Sequence, residues 1–214
     1  MTGKTEKPVA RAGNSGLAAS RPNPEGKGQV GFLLDWAYSS PRAIVAKPAP
    51  QLLADYFTSL LVLSATFKFK PVFGKDYYLY IEDDRWVLSL ISPDEWNDEA
   101  KRRAFVGTCV LHDDSTWSIE PSGNIREDCA VAERLATFYD GFIDKLSSRN
   151  VLEDGLPVYE AGLPYYQRLF AAALSRSLKA SLAKGGQTGL SAEAWLERMP
   201  RNANMLLDSY THSS

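Results

Sequence analysis

Between Phe67 and Trp96 the chain reads FKFKPVFGKDYYLYIEDDRWVLSLISPDEW, and this block narrows the fold more than any other part. Phe67 and Phe69 alternate with Lys68 and Lys70, the two-residue period of a strand with one buried face. Pro71 and Gly74 interrupt it. A second strand over Tyr77–Ile81, a turn at Glu82-Asp83-Asp84 and a return over Trp86–Ile91 predict an antiparallel hairpin, with Trp86, Leu88 and Leu90 on one side. Ser92-Pro93-Asp94-Glu95 has the chemistry of a helix start: a hydroxyl cap, a proline at the first position and acids in the first turn. Trp96 is expected to anchor that helix, which runs on to Arg103.

The pattern then continues with a strand over Ala104–Leu111, a turn over His112–Ser115 and a strand over Thr116–Glu120. At least four strands with short connections point to an α+β fold built on a small antiparallel sheet, either a meander or an open barrel, packed with flanking helices. Upstream, Phe32, Leu33 and Trp36 lie at helical spacing before Pro41, and KPAP (Lys47–Pro50) opens a second helix. That second helix has Leu53, Phe57, Leu60 and Ser64 on one stripe with Leu52, Tyr56 and Leu63 beside it, so it is expected to be the most buried of the chain.

Beyond residue 121 the chain reads as helical. Val131, Leu135, Phe138, Phe142 and Leu146 make one amphipathic stripe; Gly155 and Pro157 break the chain. Pro164 opens a further helix that Gly185-Gly186 ends, and Ser191 caps a last one through Trp195 and Met199. The expected organisation is a disordered leader over 1–28, an α+β domain over 29–121, and a helical region over 122–214 that packs on the sheet or forms a subdomain. The leader is poor in large apolar residues and cannot offset its ordering entropy.

Composition excludes several classes. A net charge of −2 and a pI near 5.8 argue against a polycation that wraps nucleic acid. The leader, with Lys4, Lys7, Arg11, Arg21 and Lys27 against Glu6 and Glu25, reads as a solubilising tail or a weak anionic tether. It lacks the apolar core of a secretory signal. The longest apolar run, Leu52–Ala65, contains Asp55 and falls short of a membrane span. The chain therefore reads as soluble and cytoplasmic, with Cys109 and Cys129 as a pair of buried thiols.

Several phrases resemble a known family: YYLY (Tyr77–Tyr80), LSLISPDEW (Leu88–Trp96), FVG (Phe105–Gly107) and STW (Ser115–Trp117), together with NPEGKG (Asn23–Gly28) and the LLVLSATFKF junction. They are similar to bacterial members of the uncharacterised family called domain of unknown function 2452, over roughly residues 23–121. The resemblance implies no activity and no cofactor.

No stretch carries a decisive catalytic or metal motif. His112-Asp113-Asp114 puts an imidazole beside carboxylates, but adjacent turn residues diverge. Cys109 and His112 stand three apart on a strand and face opposite sides. With His212 as the only other histidine, a nitrogen-rich metal site is not expected. Asp94 and Glu95 are explained by a helix start rather than by paired-acid catalysis. No phosphate loop and no G-x-S-x-G elbow occurs. Aromatic residues near Lys68, Lys70, Lys75 and Arg85 have the makings of a base-stacking platform, yet no RNA-recognition strand motif is present and nucleic acid is not expected.

The favoured reading is a non-enzymatic protein-binding or adaptor module, with Tyr77 and Trp86 as the rings that reach the surface. The second is a small-molecule binder or enzyme with a pocket between the sheet and the C-terminal helices, to which Tyr78, Trp86, Glu95 and His112 contribute. A weak RNA or single-strand binder ranks third. No cofactor and no metal are expected.

Overall fold

The computed structural model describes residues 29–126, 128–157 and 162–203. The leader over 1–28, its NPEGKG phrase and His212 lie outside the described residues. Helix α1 (Gln29–Tyr38) ends before Pro41, and α2 (Ala49–Ser64) starts directly after Pro48. Proline suits a first turn because its missing N–H has no helical partner there. Strands β1 (Asp76–Glu82) and β2 (Arg85–Ser89) form the hairpin, α3 (Glu99–Arg103) follows, and β3 (Phe105–Leu111) and β4 (Trp117–Pro121) complete the sheet. Helices α4 (Cys129–Ser147), α5 (Leu152–Gly155), α6 (Tyr165–Lys184) and α7 (Ala192–Leu196) make up the C-terminal part.

The four strands pair antiparallel in the order β2-β1-β3-β4, as an open sheet. β3 therefore returns beside β1, not beside β2 as in a simple meander. The connection over 90–104 carries a single turn at Pro93–Glu95 and then α3, so it crosses the sheet instead of turning tightly. In the register Tyr77 faces Cys109, which faces Ile119, while Ile81 faces Trp86. Tyr77, Leu79, Ile81, Trp86 and Leu88 thus share one face, because successive strand residues point to opposite sides. Tyr78 and Tyr80 belong to the other.

That first face lies on α2, which is packed between the sheet and α6 with α4 at its side. Leu52, Leu53, Tyr56, Phe57, Leu61 and Val62 are fully buried, and Asp55, Thr58 and Ser59 are buried with them, so α2 is enclosed nearly all round. One continuous buried cluster takes in α2, the sheet, α4, α6 and α7. Gln167 of α6 donates to the Ala65 carbonyl at 2.5 Å, closing an orphan at the end of α2. Tyr56 donates to the Gly155 carbonyl at 2.5 Å; its burial pushes the phenol pKa up.

The second face is half covered. Tyr80 lies beneath the 90–104 connection: its hydroxyl donates to the Ile91 carbonyl at 2.9 Å, and Trp96 stands edge-on to its ring at 6.3 Å. Lys101 Nζ sits 3.9 Å above Trp96. The helix expected to run from Pro93 to Arg103 is broken at Trp96–Asp98, because Asp98 caps α3 by accepting from Ala100 N at 2.9 Å.

Three further local expectations change. Phe67–Lys70 is not a strand: only Thr66 forms a bridge, parallel to Val87. Proline at 71 cannot donate to a ladder, and Lys70 turns away to meet Asp35 at 2.8 Å while Phe67 and Phe69 enter the core. Leu90 is exposed, since β2 ends at Ser89 to make the Ser-Pro turn. Cys109 is buried but Cys129 is exposed, at the first position of α4. Among the described residues no helix is long and apolar enough to cross a membrane.

At Gly107 the backbones of β3 and β4 approach closely. A Cβ there would stand 2.5 Å from the Glu120 carbonyl oxygen and 2.8 Å from Ile119 Cγ2. Only the missing side chain lets β3 and β4 close up here. Gly107→Ala is expected to lower stability by about 1–3 kcal/mol in urea unfolding, because backbone, not a mobile side chain, must shift.

Candidate functional groove

Helix α4 begins where Asp128 accepts hydrogen bonds from Ala130 N and Val131 N, at 2.9 and 3.3 Å. Its Val131, Leu135, Phe142 and Leu146 point to the core. One flank of that stripe is left uncovered. Ala130, Arg134, Phe138, Gly141 and Lys145 recur at helical spacing along it and form one wall of a groove of about 970 Å³. Ile81, Trp86 and the Asp84 turn of the β1–β2 hairpin form the other wall with α3, and Leu60 and Ser64 at the end of α2 form the floor. Small residues make the space: Ala100, Ala104, Ala130 and Gly141 all line it.

The lining is aromatic and aliphatic, with Leu60, Ile81, Trp86 and Phe138 half-buried against the core. From Ala130 to Lys145 the helical rise sets a length of about 22 Å. Charges are strung along the rims. Asp128 is spent on the α4 cap, Arg103 pairs with Glu99 at 2.5 Å, and Arg134 pairs with Asp84 across the mouth.

The hairpin tip is under backbone strain. Asp83 and Asp84 have φ of 45° and 63°, the left-handed pair that a two-residue hairpin turn demands and that Asn-Gly usually supplies. Aspartate tolerates this region better than most residues because its short carboxylate bonds locally. Here Asp84 gains the Arg134 partner, which aims the turn at α4.

The five residues singled out from sequence do not converge. Trp86 lines the groove. Tyr77, expected at the surface, is 1% exposed: it stacks on Phe69 at 5.3 Å, and its hydroxyl accepts from Val72 N at 2.7 Å. Burial pushes its pKa up, against the lowering effect of that hydrogen bond. Its face of the sheet lies on α2, and sequence alternation cannot say which face is covered. Tyr78 is half-buried on the opposite face, 6.2 Å from Phe105. Glu95 accepts from Ser92 N at 2.8 Å, and this bond holds its carboxyl below the ordinary value. His112 is exposed, with Nε2 2.7 Å from Ser118 Oγ on the neighbouring strand.

Sequence reasoning found α4 and its core stripe but missed the flank that makes the wall. The available signal was Gly141, a glycine inside a helical pattern; a Cβ there would meet nothing within 4 Å. Among the described residues no group of three or more His, Cys, Asp or Glu side chains is placed to hold a metal ion.

Residues 46–138 match the model of the family described as Protein of unknown function (DUF2452). The match reaches well into α4, beyond the stretch that carried the resemblance. Apart from Gly141, Phe142 and Lys145, every residue lining the groove falls within it. No curated protein and no solved structure matches the chain.

Proposed function

We propose, for a chain whose residues 46–138 match the DUF2452 family model, a non-enzymatic binding module whose groove receives an amphipathic helical segment of a protein partner. The observation that carries this reading is the shape and lining of the groove. It is an open trough about 22 Å long, the rise of roughly four helical turns. Its lining offers a row of apolar anchors, as a helix presenting residues at i, i+3, i+4 and i+7 requires. Trp86 is the type of half-buried ring that dominates interface energetics. The charged groups run along the rims from Asp128 to Lys145 instead of gathering at one point, which suits partner registration more than bond chemistry.

A photo-cross-linking amino acid at Thr137, which lines the groove, tests this against the same probe at the exposed Lys179 on α6. In extract of the native cell, Thr137 is expected to yield a discrete protein adduct that Lys179 does not, and Trp86→Ala is expected to remove it. Equal adducts from both positions would sink the reading. The volume of 970 Å³ also lies at the upper end for small-ligand pockets. A small molecule retained in native mass spectra and displaced by Trp86→Ala would favour that second reading.

A further inference from the structure

Helix α1 turns its apolar side to solvent. Val30, Leu33 and Leu34 are 71%, 62% and 66% exposed, and Ala37 is exposed with them. Their spacing is i, i+3, i+4 and i+7, so they form one stripe along the helix. The polar contacts of α1 run the other way. Asp35 is buried and accepts from Lys70 Nζ at 2.8 Å and from the Tyr165 hydroxyl at 3.0 Å, while the Arg176 guanidinium lies 4.4 Å above the Trp36 ring. A free helix of 10 residues is marginal in water, but these contacts hold α1 against the body as a preformed ridge.

The same chain carries a counterpart to that ridge. The groove between α3, the β1–β2 hairpin and α4 calls for a helix with apolar residues at i, i+3, i+4 and i+7, and its apolar lining is open to solvent. Helix α1 is about 15 Å long, which fits within a trough of about 22 Å. The stripe bears no charge. The groove cations Arg103 and Arg134 are already matched by Glu99 and Asp84, so an uncharged ridge enters without parting either pair.

We propose, resting on the groove reading above, that the helix it receives is α1 of a second copy of this chain. Held by its inner side with the stripe outward, α1 does not turn that stripe into its own groove, so the contact runs between molecules. Ridge and groove are different surfaces, so the contact is head-to-tail and each docked pair still offers one ridge and one groove. A preformed ridge gives up less entropy on docking than a segment that must fold as it binds. One short helix makes an interface at the small end, below about 1,200 Å² in total, so the association is reversible and rises with concentration.

The test is sedimentation velocity of the purified full chain over a wide range of concentration, where the mass is expected to rise with concentration. Leu33→Ser/Leu34→Ser spoils the ridge, and Gly141→Arg fills the groove at a position where a Cβ meets nothing within 4 Å. Each should weaken association by about tenfold or more, since each prevents the burial of two leucines, with the circular dichroism unchanged. An equimolar mixture of the two variants should regain a dimer and nothing larger, because one intact ridge then meets one intact groove. A chain that stays monomeric at every concentration overturns the proposal, and a Thr137-specific adduct in extract would then leave the groove to another protein. Failure of the groove reading itself shows instead as equal adducts from Thr137 and Lys179. Association that Leu33→Ser/Leu34→Ser abolishes and Gly141→Arg leaves untouched also overturns the proposal, because the stripe would then pair with itself. So does a mixture that stays monomeric.

Discussion

Lys47→Met is expected to lower the unfolding free energy by about 3–5 kcal/mol, read from the urea midpoint at neutral pH. The ammonium of Lys47 bridges two carboxylates, Asp55 and Asp114, with Nζ 2.5 Å from Asp114 Oδ2. Asp55 also accepts from Gln51 Nε2 at 2.8 Å, and Asp114 accepts from the Thr116 hydroxyl at 2.6 Å. The triad ties the segment before α2 to the β3–β4 turn. Asp55 is 1% exposed, so removing the cation leaves a buried charge without its counter-ion, which costs more than the pair itself contributes.

The pH dependence has a definite sign at both ends. Burial alone would lower the Lys47 pKa, but Asp55 and Asp114 outweigh it and raise it above the ordinary 10.5. That contribution is complete below 10.5 and is lost as pH rises through the higher folded value. Burial alone would raise the Asp114 carboxyl, but hydrogen bonds from Lys47 and Thr116 hold it below the ordinary 3.8. Its contribution is present above 3.8 and is lost as pH falls through the lower folded value. The gap between wild type and Lys47→Met should therefore be flat through neutral pH and shrink below about pH 4 and above about pH 10.5.

Trp117→Ala should destabilise by a similar amount, about 3–5 kcal/mol, whereas Trp86→Ala should stay nearer the ordinary range of about 0.5–3 kcal/mol. Trp117 is fully buried where β4 meets α2. Tyr77 stands edge-on to its ring at 5.7 Å, and its backbone N–H donates to Ser59 Oγ at 2.9 Å. Truncation opens a cavity in the buried core, which relaxes only partly. Trp86 lines a groove that is open to solvent, so its loss removes contact area without leaving a sealed hole. Differential scanning calorimetry of the two variants separates core from surface, and a larger loss for Trp86 would place it in the core.

These two tryptophans also show how far local sequence carries. Both sit in strands among alternating residues, and nothing within a few positions distinguishes them. The hairpin, its acidic turn, the Ser-Pro start and the amphipathic α4 were all legible, because period, capping and proline geometry are local properties. So was the burial of α2, since its broad apolar stripe has no stable solvated state. The groove was not legible. Its walls come from Trp86, Ala104, Arg134 and Gly141, which lie far apart in sequence and meet only through packing.

Sequence alone determined most of the element types and their ends and the α+β class, and these rest on backbone sterics and hydrophobic period within each segment. Tertiary structure decided which face of each element was covered. Once β3 returned beside β1 and α2 was enclosed by the sheet and α6, Tyr77 was sealed in, Trp86 was left at the groove, and the apolar side of α1 was left outside. Strand alternation specifies two faces equally well, and only the packing of distant segments chooses which of them meets water.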